Sequence, residues 1–142
     1  MTTQTAHTAP STTTDADHGT RRKVLWGAQI LLAAFLLIAS GLPKLVGQAD
    51  AVETFELIGW GQWFRYVTGV VEVAGAIALV VPRLAGLAAT ALIGLMAGAI
   101  LTQILVIEPA WSAMPAAFAV VFALIAWDRR AETRALLRSL KR

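Results

Sequence analysis

The sequence predicts an all-α fold, an integral membrane bundle of four transmembrane helices, and three observations carry that expectation. Four apolar runs, at residues 24–42, 63–81, 84–107 and 111–127, occupy most of the 142-residue chain. A hydrocarbon core of about 30 Å needs roughly 20 helical residues, with about 17 the lower limit, so each run can cross it. All five tryptophans (Trp26, Trp60, Trp63, Trp111 and Trp127) lie within three positions of a run end, where an amphipathic ring sits best at headgroup level. Hydrophobic residues make up 57% of the chain and the mean hydropathy is +0.66, more apolar surface than a water-soluble domain of this size can cover.

The elements follow in order. Residues 1–20 are rich in Thr, Ala and Asp without periodicity and cannot bury enough apolar area to offset their ordering entropy, which predicts a disordered tail. Arg21 and Arg22 ahead of an apolar run resemble a twin-arginine export signal, but run 24–42 exceeds the roughly 7–15 residues of a signal core and three further runs follow. Residues 21–127 therefore form the transmembrane domain. Arg21, Arg22 and Lys23 precede it and Arg129, Arg130, Arg134, Arg138, Lys141 and Arg142 follow it. The positive-inside rule then puts both termini in the cytoplasm of an inner or plasma membrane.

Between the first and second runs, Ala51, Val52, Phe55 and Ile58 share one helical face with Glu53 opposite, which predicts a short helix on the outer interface ended by Gly59 and Gly61. Pro82 and Arg83 make the turn between the second and third helices. On the third, Gly86, Thr90, Gly94, Gly98 and Thr102 recur every four residues, a small-residue groove for helix packing. The fourth has no hydrogen-bonding side chain between Met114 and Trp127 and is expected to face lipid. Residues 128–142 set Leu136, Leu137 and Leu140 against basic residues, a short basic amphipathic helix that anionic headgroups attract by about 1 kcal/mol per basic side chain.

Composition excludes much chemistry. Cysteine is absent, and both histidines, His7 and His18, fall in the polar tail. Disulfides, iron–sulfur and zinc–thiolate sites are thereby removed, and no helix offers an imidazole. No metal site and no intrinsic cofactor are expected. A net charge of +3 concentrated at the chain ends describes membrane flanks, and no nucleic-acid partner is expected. The sequence contains no paired carboxylates, nucleophile–base pair or phosphate-cradling glycine loop, so no autonomous catalytic activity is expected.

Glu72 is the residue that needs a reason. It lies near the middle of its run, where a charge costs about 2.5–3.5 kcal/mol on insertion scales. Arg65, seven residues earlier, shares almost its helical angle, with Thr68 between them. About 10.5 Å of axial rise separates the two, which disfavours a direct ion pair and favours a bridge through Thr68 or water. Ser40 and Lys44 close the first helix at the same level, and Thr102 and Gln103 lie near the matching end of the third. Ser40, Lys44, Arg65, Thr68, Glu72, Thr102 and Gln103 thus compose a candidate polar vestibule with Glu72 at its floor. The competing reading gives Glu72 and Gln103 only a structural role between helices.

The stretches ASGLPKL at 39–45, FELIGW at 55–60, GVVEVAGA at 69–76 and MAGA at 96–99 together resemble the DoxX-like family of small four-helix bacterial membrane proteins, over about residues 36–107. The family takes its name from a quinol oxidase or thiosulfate:quinone oxidoreductase subunit, and some relatives are linked to oxidative-stress complexes. The resemblance implies an accessory or ligand-binding subunit of membrane redox chemistry, with a quinone as its borrowed cofactor and a membrane redox partner or a second copy beside it in the lipid bilayer. Gln103 stands where many relatives carry a histidine, which argues against metal or proton chemistry at that position. A small proton-coupled permease using Glu72 and a non-catalytic assembly scaffold are the alternative functions.

Overall fold

The computed structural model describes residues 13–141, and no strand occurs among them. Helix α1 (Thr13–Ala34) runs through a π-helical segment (Phe35–Gly41) into α2 (Leu42–Val46), and residues Asp17–Val46 form the first of four spans long and apolar enough to cross a membrane. The others are α4 (Gln62–Val80), α5 (Ala85–Leu105), and a 3-10 turn (Pro109–Ser112) leading into α6 (Ala113–Asp128). Helix α3 (Ala49–Ile58) connects the first two spans, and α7 (Arg130–Leu140) follows the last. Of the expected tail, residues 1–12 lie outside the described residues, while residues 13–20 are helical. Extending an existing helix avoids a new nucleation step, and Asp17 near the start suits the helix dipole.

The first span outruns its expected end because of how it meets Pro43. Proline has no N–H to donate, and its ring strikes the carbonyl four residues back. The helix widens at that point, Leu42 N–H bonding the Leu37 carbonyl, and continues to Lys44 before Gly47 at φ 75° ends it. A single wide turn of this kind commonly re-aims side chains at functional sites.

An ion pair of 3.4 Å between Arg21 and Asp128 joins the start of the first span to the end of the fourth, so these lie at one end of the bundle, the terminal end. There the core is dense: Leu36, Leu79, Ala89, Leu92, Phe122 and Ile125 are almost wholly buried. The fourth span does not simply face lipid. Pro115, Phe122 and Ile125 form a buried stripe, which uniform hydrophobicity concealed, because lipid and a helix neighbour ask for the same apolar side chains. Helix α3 forms between the first two spans as expected, ended by Gly59, and it is anchored to the bundle. Its Phe55 is buried and packs edge-on to Phe64 of α4, ring centroids 5.6 Å apart.

The small-residue stripe on α5 is not one continuous packing groove. Gly86 abuts Arg129 and Thr133 at the root of α7, whereas a Cβ added at Gly94 or Gly98 would meet no atom of a neighbouring element within 4 Å. Thr90 spends its hydroxyl on the Gly86 carbonyl, 2.8 Å away. A spacing of four advances about 40° per step on a helix of 3.6 residues per turn, so the stripe winds around α5 and no single neighbour can follow it.

Close helix approach occurs elsewhere. A Cβ on Gly41 would come 2.8 Å from Val73 Cγ2, and one on Gly69 would come 3.0 Å from Leu45 Cδ2 and 3.1 Å from Lys44 Cβ. These two glycines let the end of the first span lie directly against α4. Gly41→Ala is therefore expected to destabilise by about 1–3 kcal/mol through overpacking, while Gly27→Ala, in open space, should be neutral or gain up to about 1 kcal/mol in helix propensity. Equal thermal stability of the two variants in detergent would show that this crossing has slack.

Candidate functional site

Towards the loop end the bundle is hollow. A cavity of about 660 Å³ runs from the level of Glu72 and Gly94 to Thr54, Trp60 and Ile107. Its wall is aromatic: Phe35 and Phe118 meet edge-on at 5.0 Å, and Trp60 and Phe64 also at 5.0 Å. Such a volume suits a drug-sized molecule whose surface is buried against apolar side chains and oriented by few polar groups.

Those polar groups come from the vestibule residues. Ser40, Lys44, Thr68, Glu72, Thr102 and Gln103 all line the cavity. Lys44 extends from the short helix after the π-turn and reaches Glu72, its Nζ lying 2.9 Å from Oε2 and 3.2 Å from Oε1. The same ammonium donates to Ser40 Oγ at 2.8 Å. An ammonium carries three donors, and here they are divided between a carboxylate and a hydroxyl one turn back. Lys44 thus supplies the counter-charge that Glu72 requires at this depth, with side chains only 18% and 6% exposed respectively.

Arg65 has a different place from the one its spacing suggests. It is 3% exposed, does not touch Glu72, and is absent from the cavity wall. Its Nε donates to Gln62 Oε1 at 2.6 Å and its Nη1 to the main-chain carbonyl of Lys44. The last carbonyls of a helix lack intrahelical partners, and a cation there also complements the dipole. Arg65 therefore caps the first span and fixes the backbone from which Lys44 projects. Gln62 in turn donates to the Val52 carbonyl at 3.2 Å, tying α3 to the same network. Thr68 does not bridge the two charges, its hydroxyl donating to the Phe64 carbonyl at 2.8 Å. Thr102 likewise donates to the Gly98 carbonyl, 2.9 Å away.

Gln103 is unlike these. Its Oε1 is buried with no hydrogen-bond partner among the described residues, and it lines the cavity. A buried unpaired acceptor costs about 1–3 kcal/mol, so this oxygen is poised to accept from a donor group that enters. Sequence reasoning linked Glu72 to Arg65 through a bridge and did not foresee Lys44 as its partner, because Lys44 is distant along the chain and nothing in the apolar pattern announces the wide turn that carries it inward. It also passed over Gln29, which is 1% exposed and donates to the Leu79 carbonyl at the last turn of α4. An amide inside run 24–42 was the available signal. Among the described residues no group of three or more His, Cys, Asp or Glu side chains comes together.

The model of the DoxX-like family matches residues 28–126, which contain all four spans in whole or large part and every cavity-lining polar residue named above. No curated protein and no solved structure matches the chain.

Breaking a buried ion pair by removing one partner costs more than removing both, since the survivor is left uncompensated. Lys44→Met alone is expected to lose on the order of 3 kcal/mol, and Lys44→Met with Glu72→Gln should recover most of it. A thermal-unfolding cycle in detergent in which the two losses simply add would mean that the pair carries no coupling.

Proposed function

The chain belongs to the DoxX-like family of membrane proteins, and we propose that it acts as a non-catalytic, ligand-binding accessory subunit whose cavity holds a lipophilic molecule with a polar head. The observation that carries this reading is the placement of the Lys44–Glu72 pair where an aromatic-walled cavity begins. An apolar body would lie against Phe35, Phe64 and Phe118, and its head would meet Lys44, Ser40 and the amide N–H of Gln103.

Association with membrane redox chemistry is part of the proposal. A quinone fits the donor set, because its carbonyl oxygens accept hydrogen bonds, and Lys44 and the Gln103 amide are donors on the cavity wall. When bound, a quinone supplies electron-carrying capacity that the side chains here lack. The role of this chain would be to orient the head and exclude water. The Lys44 contact favours this reading over a proton-coupled carrier, since it holds Glu72 as half of an ion pair, and among the described residues no titratable side chain beyond these two lines the cavity. A pure scaffold would have no use for the cavity.

Gly98→Leu tests the site. Gly98 lines the cavity, and a side chain there begins in open space, so this variant should unfold within a few degrees of the wild type yet bind a decyl-substituted benzoquinone at least about tenfold more weakly. Gly86→Leu, placed against Arg129 and Thr133, should instead lower stability by about 1–3 kcal/mol. Undiminished saturable binding in Gly98→Leu, read by native mass spectrometry, would put the ligand outside the cavity.

The basic flanks support an orientation with both termini in the cytoplasm of the cell membrane, which turns the loop end of the cavity outward. Reporter fusions should give a cytoplasmic C-terminus, and an external one would reverse the cavity's direction.

A further inference from the structure

Taking the cavity as a binding site, as proposed above, we infer that its preferred ligand is an acid: a single-chain amphiphile whose anionic oxygen head is held by Lys44. The argument is a count of buried charge. The loop-end half of the bundle holds two cations, Arg65 buried and Lys44 part-buried, and one buried carboxylate, Glu72, which pairs with Lys44. Arg65 is 3% exposed, and its hydrogen bonds go to the Gln62 side-chain oxygen and the Lys44 carbonyl, both uncharged. Its guanidinium carbon also lies 4.2 Å from the centre of the Tyr66 ring. Among the described residues no carboxylate forms an ion pair with it.

The remaining acids of the loop end do not redress this balance. Asp50, Glu53, Glu56 and Glu108 are all exposed, where water and salt screen them. The buried part of the loop end therefore carries one positive charge in excess, that of Arg65 behind Lys44, in surroundings where uncompensated charge is expensive. An anionic head entering the cavity would supply the missing charge. A neutral head would not.

Lys44 is the contact, because it lines the cavity and Arg65 does not. Its ammonium is a point charge on a flexible stem and can turn from Glu72 to a ligand, whereas the planar guanidinium of Arg65 is fixed by its fork of hydrogen bonds. Arg65 is thus a positioning residue that holds the Lys44 backbone and adds its field. Gln103 can donate its amide to the second oxygen of the head. The cavity volume, about 660 Å³, lies in the range of drug-sized ligands and suits one chain in preference to the two of a bilayer phospholipid.

The sign of one substitution separates this inference from other uses of the site. Glu72 competes with the ligand for Lys44, so Glu72→Gln should strengthen acid binding by about threefold or more and leave a neutral amphiphile unchanged. The experiment titrates palmitic acid and hexadecanol into the full-length protein in zwitterionic phosphatidylcholine nanodiscs, with Gly98→Leu in the same lipid as the control for partitioning. Native mass spectrometry reads occupancy, and dioleoylphosphatidylglycerol serves as the two-chain anionic comparator.

The expected result is at least about a tenfold preference for the acid over the alcohol. Loss of binding in Gly98→Leu and collapse of the preference to under about threefold in the folded, charge-neutral double variant Lys44→Gln with Glu72→Gln should accompany it. Equal affinity for acid and alcohol, or weaker acid binding in Glu72→Gln, overturns the anionic head and leaves the cavity reading intact. Acid binding that persists in Gly98→Leu, or a preference for the phosphatidylglycerol, overturns the single-chain site. Benzoquinone binding without any acid binding overturns this inference alone, and failure of every ligand overturns the proposed function with it.

Discussion

Everything at the loop end depends on the need to compensate charge inside an apolar medium. A carboxylate near mid-membrane is tolerated only when a cation or a set of donors meets it, and in this chain the cation comes from a different span. Lys44 must therefore leave the first helix at the level of Glu72 and point inward. Three sequence features serve that requirement. Pro43 forces the wide turn, Gly41 and Gly69 remove the side chains that would hold the two helices apart, and Arg65 caps the exposed carbonyls of the segment that carries Lys44. Remove any of them and the ammonium loses either its direction or its distance to Glu72.

The two halves of the bundle answer to different physics. At the terminal end, Leu36, Leu79, Leu92, Phe122 and Ile125 interdigitate, and a side chain on Gly75 would come 2.8 Å from Leu92 Cδ2. Dispersion contacts at high density hold helices together where lipid gives no hydrophobic incentive for them to associate. At the loop end the same α5 presents Gly94 and Gly98 to empty space. Small residues bring backbones together in the first case and leave volume free in the second. The difference lies in the angle the stripe has reached as it winds around the helix.

That winding explains what could be read from the sequence and what could not. Apolar length, tryptophan position and charge at the ends are local properties, so four membrane-crossing helices were legible residue by residue. Six vestibule residues also gathered where their depth along each helix placed them, since depth follows from rise per residue alone. Pairing was not legible. Glu72 and Arg65 share a helix and an angle, yet the counter-charge comes from Lys44, 28 positions away, because contact between helices depends on rotation, crossing and a proline-induced wide turn. For the same reason the stripe at Gly86, Thr90, Gly94 and Gly98 looked uniform, and the inward face of α6 could not be separated from a lipid-facing one.

A site built this way trades stability against readiness. The Gln103 oxygen is left without a partner, the cavity forgoes packing, and Arg65 is buried with only neutral acceptors. Natural cores seldom carry three such costs together unless the arrangement serves a function, and here all three lie in the loop-end half of the bundle. The cavity and the uncompensated cation are relieved by the same event, the entry of a molecule with an apolar body and an anionic head, while the Gln103 oxygen awaits a donor. The Lys44–Glu72 pair keeps the floor closed on itself until then. Because the ammonium can exchange one oxygen partner for another without leaving the cavity, binding proceeds by a change of partner at Lys44, at the cost of the contact that now compensates Glu72.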